Sequence, residues 1–275
     1  MNLHYLIQKV YHEPALITPS AHAAIRQLLE SRLLDASGEV QAAREGEYCG
    51  EKVELDGMEI KEGVAHIPIA GAIGSKLSGF AKYRGAVDVA DVENELDEAE
   101  DSDEVKAILL DIDSPGGMVL GTPELADRIA QVEKPIMAFS NGMIASAAYW
   151  LASATDGIFT TRTAETGSIG VYMPVVDKSQ AFAAMGVKVE LIKAGKFKGM
   201  GFPGVSLTDA QREHLQAEVN QIYGMFTEHV RQYRGDVSSE TMQGQMFMGP
   251  ESVRVGLADG IVKNKGEAVQ ILMQS

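Results

Sequence analysis

The chain has 275 residues, with 24 lysines and arginines against 39 aspartates and glutamates, so its formal net charge is −15. Binding of nucleic acid or an anionic membrane surface needs clustered positive charge, so we expect neither as a partner. Its single cysteine, Cys49, excludes an intrachain disulfide and a cysteine-rich metal site. The six histidines show no HxxxH spacing, and we expect no metal and no cofactor.

The sequence offers no candidate for a membrane anchor. Its least polar stretch, Met143 to Ala154, has 12 residues, whereas a membrane-spanning helix needs about 20. The N-terminus has no basic stretch followed by a long apolar run, so we expect no signal peptide. Together with the lone cysteine, these features predict a cytoplasmic protein.

The N-terminal part predicts an arm at residues 1–45, followed by a main domain at residues 46–275. Thr18 is a typical helix N-cap, and Pro19 is a typical first helical residue. Apolar residues then recur at helical spacing. Residues 35–62 are polar, acidic and dotted with glycines, which predicts a linker and a short hairpin.

Strands and helices alternate after the arm. Apolar runs predict strands that begin at Val64, Val105, Lys134 and Gly157. Helical patterns occupy residues 85–104, 123–132 and 208 to about 234. The first of these helices carries ten acidic side chains, which indicates a solvated face. This alternation is typical of an α/β fold with a largely parallel sheet covered on both faces.

A Gly-Gly pair follows the second of these strands, in the segment Ser114-Pro115-Gly116-Gly117. Two glycines let the backbone turn sharply and expose consecutive N–H groups. Such groups can hold an anion or a developing oxyanion. A simple turn would explain the same residues.

Ser146 begins a helix of small residues about 30 positions further on. The interval holds one helix and one strand, a βαβ unit, so the loops at Ser114 and Ser146 should emerge at the same sheet edge, where ligand clefts form. A serine among alanines is more often a helix-packing residue. The partner loop favours a nucleophile, with the N–H groups of Ala147 and Gly117 as two oxyanion donors.

A serine nucleophile needs a base, and no histidine lies between His66 and His214. We expect His214 to be an exposed or packing side chain. A lysine can replace histidine if it is neutral, which requires burial to lower its pKa from about 10.4. The candidates are Lys193, Lys196 and Lys198. The residues alone do not choose among them, and an exposed loop would also explain three lysines so close together.

Seven segments in register resemble the signal peptide peptidase A family of serine proteases, which share the Clp/crotonase-type fold. They extend over residues 64–262 and are VAHIPIAGAIG, ILLDIDSPGG, GMIASAAYWLASATDGIF, TGSIGVY, KAGKFKG, FTEHVRQYRG and GLADGI. The resemblance implies an α/β fold of the Clp/crotonase-like ββα-spiral type with a largely parallel sheet, preceded by the N-terminal helical arm.

The resemblance also implies a Ser–Lys dyad that hydrolyses peptide bonds through an acyl-enzyme. Ser146 matches the nucleophile of the family, and Lys198 matches its general base. Ser168 matches the residue that orients the lysine, and Gly117 with Ala147 matches the oxyanion hole. Family members form homo-oligomers, rings among them, and in some the serine and the lysine come from neighbouring subunits.

Residues 15–29, ALITPSAHAAIRQLL, resemble the N-terminus of phage and prophage members that act in capsid assembly. Some of these continue into a scaffolding segment, which we expect to be absent after Ser275. The sequence therefore predicts a capsid (prohead) assembly protease acting on a capsid or scaffold polypeptide. Alternatives are a cytoplasmic peptidase for signal-peptide remnants, an inactive assembly scaffold, and a crotonase-like acyl-CoA enzyme.

Overall fold

Three β-sheets form the framework of the protein. The structure is a computed structural model that describes residues 13–34, 57–83, 85–235 and 237–275. The strands, in chain order, are β1 (Ala15–Ile17), β2 (Glu59–Lys61), β3 (Val64–Ala70), β4 (Ile73–Gly74), β5 (Val87–Asp88), β6 (Ala107–Asp113), β7 (Gly116–Met118), β8 (Ile136–Ser140), β9 (Met143–Ala145), β10 (Gly157–Thr160), β11 (Glu165–Gly167), β12 (Met246–Met248) and β13 (Gly260–Ile261).

The largest sheet has six strands in the order β13-β10-β8-β6-β3-β2. All its neighbouring strands are parallel except β2 and β3, which form an antiparallel hairpin. The four predicted strands are its four central members, so the predicted parallel sheet is confirmed. Two smaller sheets, β1-β7-β4-β5 and β12-β11-β9, adjoin it.

Nine helices lie in the described residues. They are α1 (Pro19–Leu34), α2 (Gly79–Tyr83), α3 (Val89–Asp101), α4 (Thr122–Ile129), α5 (Ala147–Ser153), α6 (Ser179–Ala184), α7 (Asp209–Arg234), α8 (Gly249–Arg254) and α9 (Lys265–Leu272). The predicted start of α1 is confirmed, and so is the capping of α7 by Thr208 and Gln211. The helix predicted at residues 123–132 begins one residue earlier and ends at Ile129.

Only the end of the linker and hairpin predicted at residues 35–62 is described: Glu59–Lys61 form β2, whose partner β3 lies beyond that range, in the strand predicted from Val64. The two strands form an antiparallel hairpin. Its turn is made by Glu62 and Gly63, both with positive φ, 51° and 82°. The remainder of the predicted linker lies outside the described residues. So does the boundary between residues 45 and 46, which stays a prediction.

Helices cover both faces of the six-stranded sheet. On one face α3, α4, α5 and the end of α7 enclose the main core, and on the other α9 packs Ala268 and Leu272 against the sheet. Every residue of α5 is buried. Its Trp150 stacks on Phe226 of α7, with ring centroids 4.6 Å apart and planes 5° from parallel. The predicted solvated face of α3 is confirmed, because its buried residues are apolar.

Only part of the apolar face of α7 is buried in the protomer. Phe226 and Val230 are buried, whereas Leu215 and Val219, on the same predicted face, keep intermediate exposure. The segment that precedes α7 has no buried residue of its own and leaves the first half of the helix only partly covered. None of the helices among the described residues has the length and apolar character needed to cross a membrane.

The Trp150–Phe226 stack gives a test of where the core lies. We expect Phe226→Ala to lower the free energy of unfolding by about 3–5 kcal/mol, because it removes a fully buried ring. Met225→Ala is the matched control, since Met225 is 44% exposed and should change stability by no more than about 0.5 kcal/mol. Urea unfolding of both variants measures the difference, and equal losses would contradict it.

Candidate active site

Ser146 connects β9 to α5 in an uncommon backbone conformation. Its φ is 56° and its ψ is −115°, although residues other than glycine rarely adopt positive φ. The turn is held by two hydrogen bonds: the Ser146 N–H donates to Gly167 O at 2.8 Å, and the Trp150 N–H donates to Ser146 O at 2.9 Å. The side chain is buried, and its Oγ makes no hydrogen bond to a described residue.

Ser168 lies beside Ser146 because of strand register. In the parallel pair of β9 and β11, Ala145 is opposite Gly167, so the two serines are the next residues on neighbouring strands. Ser168 also has positive φ, 53°, and its N–H donates to Gln245 O at 2.6 Å. Two of the four non-glycine residues with positive φ in the described chain are therefore these serines. Strain of this kind clusters at functional sites.

Gly116 and Gly117 complete the group from the other loop. A Cβ on Gly116, whose φ is 96°, would lie 2.9 Å from Cβ of Ser146. A Cβ on Gly117 would collide with Ile73 O. Only glycine fits at either position. The structure therefore places Gly116 against Ser146, while Gly117 lies against Ile73 of β4. The roles of Gly117, Ala147 and Ser168 stay predictions.

Ser114 ties the two loops together. Its Oγ donates to Gly71 O at 2.6 Å and accepts from the Gly116 N–H at 3.2 Å. Its backbone forms a parallel bridge with Ile144, just before Ser146. This confirms that both loops emerge at one sheet edge, and it gives Ser114 a positioning role that sequence reasoning did not assign.

The Gly-Gly segment is not an open turn, contrary to the expectation of exposed N–H groups. It is strand β7, paired with β4 on one side and with β1 on the other. The expectation is wrong for this protomer because residues 15–17, only three residues long, form a strand that the sequence pattern did not reveal.

The three candidate lysines lie on an exposed segment. No residue from position 170 to position 210 is buried. Lys193 Nζ donates to Lys196 O at 3.1 Å, and Lys196 Nζ lies 5.3 Å from the centre of the Phe197 ring. Lys198 Nζ makes no hydrogen bond or ion pair with a described residue. In the protomer Lys198 is exposed, both serines are buried, and no hydrogen bond joins them, so the assignment of Lys198 stays a prediction.

Apolar side chains are exposed around these lysines. We define the lysine segment as residues 173–207. Its large exposed apolar residues are Val175, Val176, Met185, Val187, Ile192, Phe197 and Phe202. Phe197 stacks on His214 of α7 with ring centroids 4.6 Å apart, and His214 also lies 3.3 Å from Glu218. His214 is therefore an exposed packing residue, as predicted.

Tyr172 is a residue of this region that sequence reasoning missed. Its backbone pairs with Ala15, and its Oη lies 2.7 Å from Nδ1 of His22 on α1. Burial raises the pKa of the Tyr172 phenol, which keeps it protonated and able to donate. The sequence signal that could have pointed to Tyr172 is its position four residues after Ser168. Among the described residues no histidine, cysteine or carboxylate cluster could hold a metal ion.

Comparison with known families decides the relationship. The model of peptidase family S49 matches residues 128–275, which is more than half of the chain. The chain belongs to peptidase family S49. A Clp protease model also matches residues 87–168, a range that includes β7, Ser146 and Ser168. The predicted membership in the signal peptide peptidase A group, with its Clp/crotonase-type α/β fold, is confirmed.

Two phage proteins match almost the whole chain. The capsid assembly protease C of Escherichia phage lambda is 33% identical over 291 residues, covering 98% of this chain and 65% of that protein. The head-tail preconnector protein GP5 of Enterobacteria phage P21 is 30% identical over 289 residues, covering 98% and 57%. The chloroplastic serine protease SPPA of Arabidopsis thaliana is 26% identical, covering 73% and 31%. The chain spans less than two thirds of each relative.

Two solved structures are similar at a lower level. A ClpP1 variant from Listeria monocytogenes aligns with a TM-score of 0.48 at 16% identity, covering 73% of this chain and 92% of that one. An enoyl-CoA hydratase/isomerase from Marinobacter aquaeolei aligns with a TM-score of 0.47 at 12% identity, covering 79% and 74%.

The backbone conformation of Ser146 leads to a stability prediction. Both Ser146→Ala and Ser146→Gly remove the hydroxyl, but only glycine adopts this φ and ψ without strain. We expect Ser146→Gly to be more stable than Ser146→Ala by about 1 kcal/mol. Ser252, buried within α8, is the control. There the order should reverse, because glycine is about 1 kcal/mol worse than alanine inside a helix. Urea unfolding tests both pairs, and the same order at both positions would contradict the strain.

Proposed function

We propose that this chain is a serine endopeptidase that uses a dyad of Ser146 and Lys198. The observation that carries the proposal is the setting of Ser146: a strained, buried serine whose Oγ makes no hydrogen bond to a described residue, with Gly116 against it and Ser168 on the neighbouring strand. A packing serine would need neither the positive φ nor an obligatory glycine against it. Membership in peptidase family S49 supports the same chemistry.

The proposed reaction begins when the neutral amine of Lys198 takes the proton of Ser146 Oγ. The oxygen attacks the carbonyl carbon of a peptide bond, and the N–H groups of Gly117 and Ala147 donate to the resulting oxyanion. Each such donor can contribute about 3 kcal/mol to catalysis. The ammonium of Lys198 then protonates the leaving amine, which yields an acyl-enzyme. Lysine next activates water to release the acyl group, and Ser168 orients its amine throughout.

We further propose that a homo-oligomer assembles the dyad. An amine in water is protonated and cannot act as a base, so Lys198 has to be desolvated. The described protomer leaves it exposed, together with the apolar residues of the lysine segment. A second copy packed on this segment would cover both. In such a homo-oligomer, which we propose to be a closed ring, Lys198 of one subunit acts as the base for Ser146 of its neighbour.

The proposed substrate is a capsid or scaffold polypeptide of a phage or prophage. The two phage relatives match 98% of the chain, including its N-terminal part, whereas the chloroplastic serine protease matches 73%. A cytoplasmic peptidase for signal-peptide remnants is the second candidate, supported by that match. The net charge of −15 argues for a polypeptide and against nucleic acid, and the single Cys49 fits a reducing cytoplasm.

Ser146→Ala should abolish peptidase activity and labelling by a fluorophosphonate while the fold is retained. Ser153 is the matched control, because it lies on the same helix and its Oγ donates to Trp150 O at 2.7 Å. Ser153→Ala should keep both the peptidase activity and the labelling by the probe. Casein cleavage and probe labelling measure the difference. An unlabelled wild-type protein would favour the inactive scaffold or the acyl-CoA enzyme over the protease.

Co-expression with candidate substrates separates the two peptidase roles. Mass spectrometry should detect Ser146-dependent cleavage of co-expressed capsid or scaffold proteins. Cleavage of signal-peptide remnants with intact capsid proteins would instead support the second candidate.

For the three lysines we expect Lys198→Ala to lose activity almost as completely as Ser146→Ala. Lys193→Ala and Lys196→Ala should be mild, because the amines of these residues make local contacts within their own loop. The activity of the wild type should rise with pH as the base deprotonates. Equal losses in all three variants, or a flat pH profile, would remove Lys198 from its proposed role.

Mixing inactive variants tests whether the dyad forms between subunits. Ser146→Ala and Lys198→Ala should each be inactive alone, but mixed subunits should regain activity, since one interface then pairs an intact serine with an intact lysine. Dissociation and reassembly of the mixture, followed by sedimentation and a peptide-cleavage assay, shows this. An active monomer would contradict the proposal.

A further inference from the structure

Strand β1 lies along the strand that carries the proposed oxyanion donor. It runs antiparallel to β7, with Leu16 opposite Gly117 and Ile17 opposite Gly116. The pairing continues beyond the strand, since the Thr18 N–H donates to Pro115 O at 2.9 Å. The N-terminal segment is therefore attached to the Gly-Gly segment by a ladder of backbone hydrogen bonds.

The other edge of β1 is paired as well. The Ala15 N–H donates to Tyr172 O at 2.8 Å, and the Tyr172 N–H donates to Ala15 O at 3.3 Å. Tyr172 is the fourth residue after Ser168. The extended backbone of β1 thus fills a slot whose two walls are the segments that hold Gly117 and Ser168.

Position 116 shows how close this strand comes to the serine. A Cβ at Gly116 would collide with the carbonyl oxygen of Leu16 and would also stand 2.9 Å from Cβ of Ser146. Leu16 is fully buried, and Ile17 and Thr18 are 7% exposed. The carbonyl oxygen of Leu16 and Cβ of Ser146 therefore both flank Gly116, and the Leu16 side chain is part of the main hydrophobic core.

A peptide that adds a strand to an exposed sheet edge is bound by its main chain, with pockets for alternate side chains. Residues 15–18 have this geometry and occupy the place that an attacked peptide needs. Because they belong to the same chain, they compete with other peptides at an effective concentration on the order of millimolar. The contact between His22 and Tyr172 fastens α1, which follows the strand, to the wall of the same slot.

We propose that residues 13–18 are a built-in occupant of the peptide slot and slow the enzyme until they leave it. The proposal rests on the proposed function, in which Ser146 is the nucleophile. It also assigns the slot a ligand class: an extended peptide, antiparallel to β7, with aliphatic side chains at the positions of Leu16 and Ile17. Release of the strand opens the slot for such a substrate.

Binding of a free peptide tests occupancy without relying on catalysis. The probe is a fluorescein-labelled peptide of residues 13–20, EPALITPS, titrated by fluorescence anisotropy. In a Ser146→Ala background, Leu16→Lys should expel β1, because a charge cannot stay at a fully buried position. We expect this double variant to bind the peptide at least about tenfold more tightly than Ser146→Ala alone, since a buried leucine anchors the strand.

Three matched variants keep this test interpretable. Ala24→Lys puts the same charge on an exposed position of α1 and should leave peptide affinity as in Ser146→Ala. Ala15→Pro removes the N–H that donates to Tyr172 O without touching the core, and should act like Leu16→Lys if that variant does not fold. The same peptide with lysine in place of leucine should not bind. Equal affinities for all proteins, or no binding to either release variant, would overturn the proposal.

Labelling of Ser146 by a fluorophosphonate then separates this proposal from the proposed function. With an intact serine, Leu16→Lys or Ala15→Pro should be labelled at least about tenfold faster than the wild type, and added peptide should slow the labelling again. Labelling at the wild-type rate in both would contradict inhibition by β1. If no variant is labelled while peptide binding still follows release of the strand, the serine assignment fails and the occupancy stands.

Discussion

The site depends on one constraint, the forced backbone of Ser146 at the junction of β9 and α5. Positive φ at a serine is unfavourable, and the surrounding structure has to hold it. Its N–H is fixed by Gly167 O on β11, and the helix that follows is buried along its whole length. The same register places Ser168 next to it, while β7 can approach only because residues 116 and 117 have no side chain. The turn, the strand pairing and the glycines therefore form one unit.

Much of this unit could be predicted because it follows from rules that act along the chain. Apolar runs marked the parallel strands, and one helix plus one strand between Ser114 and Ser146 required both loops to share an edge. The capping residues Thr208 and Gln211 marked the start of α7. The pairing of β1 could not be predicted. Three residues are too few to show the alternation of a strand, and one partner, Tyr172, is more than 150 positions away. Tertiary contacts alone make Ala15–Ile17 a strand.

The choice among the lysines shows a second limit, which is physical and not statistical. Whether an amine is a base depends on its surroundings, and a segment in which no residue from 170 to 210 is buried does not supply them within one protomer. Local contacts occupy the amines of Lys193 and Lys196, which argues against these two as the base without showing that Lys198 is the base. The first half of α7 has the same character, because Leu215 and Val219 form an apolar face that the protomer leaves half-covered. Sequence pattern predicts such a face without saying which molecule covers it.

Each half of the proposed dyad thus lacks a different condition for activity. The serine half is complete within the protomer but closed, because β1 fills the slot beside it. The lysine half is open, so Lys198 stays exposed to water, whereas a neutral amine needs to be desolvated. A protease built in this way would require two events before it cleaves: a neighbour must cover the lysine segment, and residues 13–18 must leave the slot. Each event alone leaves either the base hydrated or the slot filled, so full activity would require both.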